Sequence, residues 1–174
     1  VLGVLISRPL ETWKGRPFYK GLIQTLQIAD IERDMRENVV SGEEIFGADA
    51  YSQAALLGHS LGNDVYVISG GSDFGRQTDF VARWKQWEGR DFVVFWQYGD
   101  APEWMRPLFR ELSYKKYEHG ALSYWIARGR GFRFEPYRDR VLAPALKGFY
   151  RKSVPDSLWR ACPPLENAEI DWRL

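Results

Sequence analysis

The run Asp64-Val65-Tyr66-Val67-Ile68-Ser69-Gly70-Gly71-Ser72-Asp73-Phe74 narrows the fold more than any other part of the chain. Its first half is rich in β-branched residues and has no polar alternation, which suits a strand buried on both faces, and its second half is small enough to turn tightly. An acid, Asp73, then stands just ahead of a helix-like segment. In an open α/β sheet this order delivers polar groups to the carboxyl ends of the strands, where ligands bind.

Phe92-Val93-Val94-Phe95-Trp96 and residues 1–6 read as further buried strands. Residues 17–38, 43–61, 80–89 and 100–117 carry helical spacing, the second of these opened by the capping-box pattern Ser41-Gly42-Glu43-Glu44 and stopped at Gly62-Asn63. Alternating strands and helices predict an α/β fold with a mainly parallel, Rossmann-like sheet and helices on both faces. The strand at residues 64–68 is expected in its centre. Residues 1–119 form the core in this reading, and residues 120–174 a basic, aromatic C-terminal extension and tail packed on the same domain.

The net charge of +1 conceals a separation. Residues 1–105 hold 10 basic and 15 acidic side chains, whereas residues 106–152 hold 12 and 4. Clustered cations of this kind suit an anionic partner, most simply nucleic acid. Lys115, Lys116, Arg128, Arg130, Arg133, Arg138 and Arg140 interleave with Tyr124 and Trp125, a mixture that fits phosphate contact with base stacking and hence single-stranded RNA. The competing reading is a strand pair with Arg on its wet face. Arg128-Gly129-Arg130-Gly131 reads as a hairpin turn or a basic loop. Cys162 is the single cysteine, so neither a disulfide nor a cysteine-rich zinc site is expected. No apolar run approaches the roughly 18 residues of a membrane span, and no signal-peptide layout opens the chain, so a soluble, cytoplasmic protein is expected.

The run from Asn63 to Phe74, a following helix and then Arg90-Asp91-Phe92-Val93-Val94-Phe95 resemble the core of the NYN branch of PIN-like ribonucleases. The resemblance implies a metal-dependent phosphodiesterase in which carboxylates hold Mg²⁺ or Mn²⁺. It places Asp73 in the site, with Asp49 and Glu44 as neighbours and Asp73 and Asp49 as metal ligands. Gly71 and Ser7 stand where that family has acids, and Gln53 about where another would fall, which implies weak or lost activity. The alternative is a non-catalytic interaction protein, a pseudo-enzyme or an inhibitor of a protein partner. Asp73 also suits the N-cap of the next helix, and Glu44 the capping box.

Gly58-His59-Ser60-Leu61-Gly62 matches a nucleophile elbow in letters, yet a helix-like segment precedes it and a strand follows, the reverse of what an elbow needs. His119 is the one distant candidate base for it. Ser69 to Ser72 offers a weak phosphate cradle, and Trp84 and Trp87 read as core rather than as a carbohydrate platform.

Overall fold

A computed structural model of the chain describes residues 14–16, 19–69, 82–97 and 99–145. They form α1 (Tyr19–Leu26), α2 (Ile28–Glu37), β1 (Ile45–Ala48), α3 (Tyr51–Leu61), β2 (Val65–Val67), a 3₁₀ turn (Trp84–Trp87), β3 (Phe92–Trp96), a second 3₁₀ turn (Glu103–Leu108), β4 (Phe109–His119) and β5 (Leu122–Phe132). A closing helical stretch follows: α-helical over Phe134–Tyr137, π-helical over Arg138–Leu142 and α-helical again over Ala143–Ala145. The strand expected at residues 1–6, the acid Asp73 and the expected tail lie outside the described residues. Among the described residues no helix is long and apolar enough to cross a membrane.

The strands make one sheet in the order β2-β1-β3-β5-β4. The β2–β1 and β1–β3 pairs are parallel, while β3–β5 and β5–β4 are antiparallel. The fold is therefore α/β with a mixed sheet, and the expectation of a mainly parallel one is corrected. The reason lies in residues 100–132. Asp100 and Pro102 suggest a helix to Tyr117, but only Glu103–Leu108 coils, around Pro107, and the chain is extended from Phe109 onward. Pairing with β5 at ten register positions decides the conformation. The hairpin turns at Gly120, whose φ of +56° is left-handed. Arg128-Gly129-Arg130-Gly131 is accordingly strand, not turn. The division at residues 119 and 120 falls on the hairpin tip, so the basic, aromatic stretch supplies a strand of the same sheet.

Two further expectations change. Ile45–Ala48, read as helix, is strand: Gly47 packs so closely that a Cβ there would lie 3.1 Å from Val94 and 3.2 Å from Ile68. Among the described residues β2 is an edge strand rather than a central one. Its Tyr66 is covered from one side by rings, with Trp87 at 4.5 Å and Trp84 at 6.2 Å, which explains an apolar run at an edge.

Helical segments cover both faces of the sheet. On one face Ile31, Met35 and Leu57 from α2 and α3 pack on Val93, Phe95 and Ile126. On the other, Trp84, Met105, Leu108 and Tyr137 pack on Phe92, Val94 and Ala127. Gly129 lies under the Phe109 ring, where a Cβ would meet ring carbons at 2.5 Å. Gly129→Ala is expected to cost about 1–3 kcal/mol through overpacking. Chemical denaturation checks this, and an unchanged midpoint would show that the ring moves aside freely.

Candidate functional site at the carboxyl edge of the parallel strands

The parallel neighbours β1 and β3 send the chain to opposite faces. β1 leads into α3 on the face holding Leu57, and β3 into the turn whose Met105 and Leu108 belong to the other core. Carboxyl ends that diverge in this way mark the place where open α/β sheets form a ligand crevice. Asp49, directly after β1, occupies it at 7% exposure, and its Oδ2 accepts the backbone N–H of Gln97, directly after β3, at 2.8 Å. Ser69 leaves the end of β2 and Gln53 sits in the first turn of α3; both are buried. Of the six buried polar side chains among the described residues, these four gather at this edge, while Gln24 and Asp34 lie on α1 and α2. The Gln97 Oε1 is buried with no hydrogen-bond partner among the described residues, so this edge holds an acceptor suited to a ligand's donor.

The structure does not bring Glu44 to this site. Glu44 precedes β1 and Asp49 follows it, which puts them about 16 Å apart along the strand. The Glu44 Oε1 accepts the amides of Val40 at 2.7 Å and Ser41 at 2.8 Å, and Ser41 Oγ accepts the Glu43 amide at 3.2 Å. Capping-type bonds are present, but they close a turn into a strand. Burial would raise the Glu44 pKa, yet the amides of Ser41 and Val40 outweigh it and hold the carboxyl at about 2. Asp73 lies outside the described residues.

Among the described residues no three His, Cys, Asp or Glu side chains are grouped to hold a metal ion. The edge itself supplies one carboxylate, whose Oδ2 accepts a backbone N–H. That is the low end of what Mg²⁺ takes from a protein, so the described residues do not make a metal centre by themselves.

The basic block splits into two groups. Lys116 and Trp125 are register partners beside Trp96, near the Asp49 edge, whereas Arg128 pairs with Val93 and Arg130 with Glu111 toward the opposite edge. Tyr124 is buried at 1% exposure, so it does not offer a stacking face; Trp125 stays half-buried. Lys116 meets Glu118 at 2.6 Å, Arg130 meets Glu111 at 3.5 Å and Arg138 meets Asp139 at 2.8 Å. Lys115 lies over the Tyr117 ring at 4.5 Å, and Arg133 and Arg140 are exposed. Lys115, Lys116, Arg128 and Arg130 stand on the strand pair, whereas Arg133, Arg138 and Arg140 follow it.

Sequence pattern alone does not single out the most densely bonded polar cluster. Asp34, 3% exposed, accepts Tyr124 Oη–H at 2.7 Å through Oδ2, and the same oxygen lies 2.6 Å from His119 Nε2. Burial, reinforced by Asp34, pushes the Tyr124 phenol well above its ordinary pKa. The available signal is an acid on the apolar stripe of α2, between Ile31 and Met35. With His119 so engaged and Ser60 Oγ donating to Glu32 at 2.6 Å from within α3, the nucleophile-elbow reading has no geometry behind it. Trp84 and Trp87 pack in or against the core as expected, but from a 3₁₀ turn rather than from an α-helix reaching Gly89.

No family model matches the chain, and no curated protein or solved structure gives a significant match.

Glu44 yields a test of sign. Its folded pKa lies below the ordinary 4.5, so the stabilisation is complete above that value and is lost as pH falls towards 2. Urea midpoints measured from pH 7 to pH 2 are expected to fall more steeply below pH 4.5 for the wild type than for Glu44→Gln. Parallel curves would refute this.

Proposed function

We propose that the chain is a cytoplasmic protein that binds single-stranded RNA and processes it weakly or not at all, with Asp49 and Asp73 as the carboxylates toward Mg²⁺ or Mn²⁺. The observation that carries this reading is the burial of Asp49 in the crevice between the carboxyl ends of β1 and β3, fixed by the Gln97 amide. A carboxylate is kept out of water only where something compensates it, and this one is buried at the edge that α/β proteins use for ligands. The likeness of residues 63–95 to PIN-like ribonucleases supplies the reaction class. Lys116 and Trp125, side by side near that edge, provide a cation and a ring for a nearby nucleotide.

A second reading, a non-catalytic interaction protein, is favoured by one observation: the edge assembles a single carboxylate from the described residues. The two separate on RNA.

The test incubates the protein with a labelled single-stranded RNA in Mn²⁺ and in excess chelator, alongside Asp49→Asn and Asp73→Asn. Expected are slow cleavage in Mn²⁺ alone, a drop of at least about tenfold in either variant, and binding that weakens steeply with salt. Cleavage that persists in chelator overturns the metal assignment. Absence of binding at low salt overturns the RNA reading and leaves the interaction protein.

A further inference from the structure

Towards the amino end of β3, strands β4 and β5 frame a groove of about 380 Å³ lined by Glu111, Leu112, Ser113, Arg128 and Arg130. Ser113 and Arg128 are register partners, as are Glu111 and Arg130, so the two guanidinium groups stand two residues apart on one strand face. On its other side Arg128 is the register partner of Val93 in β3, a fully buried core residue, which sets the stem of Arg128 at the margin of the core. Its Nε is buried and has no hydrogen-bond partner among the described residues. Arg130 is held only loosely, by a 3.5 Å contact to Glu111, with both side chains exposed.

We propose that this groove is a phosphate-binding subsite, with Arg128 as anchor, Arg130 as second cation and the Ser113 hydroxyl as a neutral donor. A buried Nε left without an acceptor at the edge of an apolar core is costly, and a planar fork of donors matches the oxygens of a phosphate bidentately. Two such groups beside a hydroxyl suit a tetrahedral anion better than a single planar carboxylate. Glu111 acts as a competitor: the anion must draw Arg130 away from it. The inference rests on the RNA reading for the source of the phosphate. The groove lies three residues along and two strands across from Asp49, about 14 Å, so it holds a different phosphate of the strand from one at the crevice and sets where the strand lies.

The experiment measures binding of a short single-stranded RNA by fluorescence anisotropy at two salt concentrations, with inorganic pyrophosphate as a second probe read by thermal shift. Arg128→Gln is expected to weaken RNA binding about five- to tenfold and to lower the salt slope by about 0.7. Ser113→Ala is expected to weaken it about twofold, and Glu111→Gln to tighten it about two- to threefold. Arg83→Gln, an exposed position outside the groove, should change it by less than twofold. Circular dichroism verifies folding, and Arg130→Gln replaces Arg128→Gln if the latter does not fold. RNA binding that ignores Arg128, Arg130 and Glu111 overturns the subsite while leaving the RNA reading intact. Pyrophosphate that stabilises the wild type but not Arg128→Gln, with no RNA bound, upholds the subsite and overturns the RNA reading. If neither probe binds, both fail.

Discussion

Everything in this molecule hangs on β3. Phe92, Val93, Val94 and Phe95 are each fully buried, and the strand is paired along both edges, to β1 in parallel and to β5 in antiparallel. Phe92 and Val94 feed one core, Val93 and Phe95 the other. The strand joins a parallel half to a hairpin, and a face covered by α1 to α3 to one covered by the 3₁₀ turns and the closing helical stretch. Both surfaces of interest are consequences of its register. Gln97 meets Asp49 because β3 ends level with β1, and Arg128 borders the core because it lies across from Val93.

What could be read from the sequence follows the same physics. β3 was legible because an unbroken apolar run can be satisfied only by cover on both faces, and the end of α3 because Gly62 adopts the left-handed conformation that stops a helix (φ +66°). Ile45–Ala48 was not, because four residues after a capping-type turn look like a first helical turn, and the reason for strand is the distant packing of Gly47 against Val94 and Ile68. Phe109–His119 was hidden for a related reason. Its conformation comes from partners in β5 rather than from local propensity, and Pro107 belongs to the short 3₁₀ turn before it.

The candidate site divides along the same line. Asp49 was picked out only through the PIN-like resemblance, inside a segment read as helix, and both its place at a strand end and its separation from Glu44 depend on which four residues form β1. Gln97 carries no signal of its own and Ser69 only that of a weak phosphate cradle; parallel register carries both to the edge. The aromatic half of the basic block misleads because interleaved Arg and Tyr describe a wet surface and a two-faced strand equally well, and Tyr124 and Phe132 turn out to be core.

The Asp34 cluster bears on the order of assembly. The β4–β5 hairpin is closed by a local turn, and such hairpins zip within microseconds. The acceptor for Tyr124 and the partner of His119, however, lie 90 and 85 residues back along the chain. Until that long loop has closed, the phenol and the imidazole must keep their water, and the inner face of the hairpin cannot dry. Desolvation of this corner is therefore a late event whose timing is set by topology rather than by the strength of any one bond.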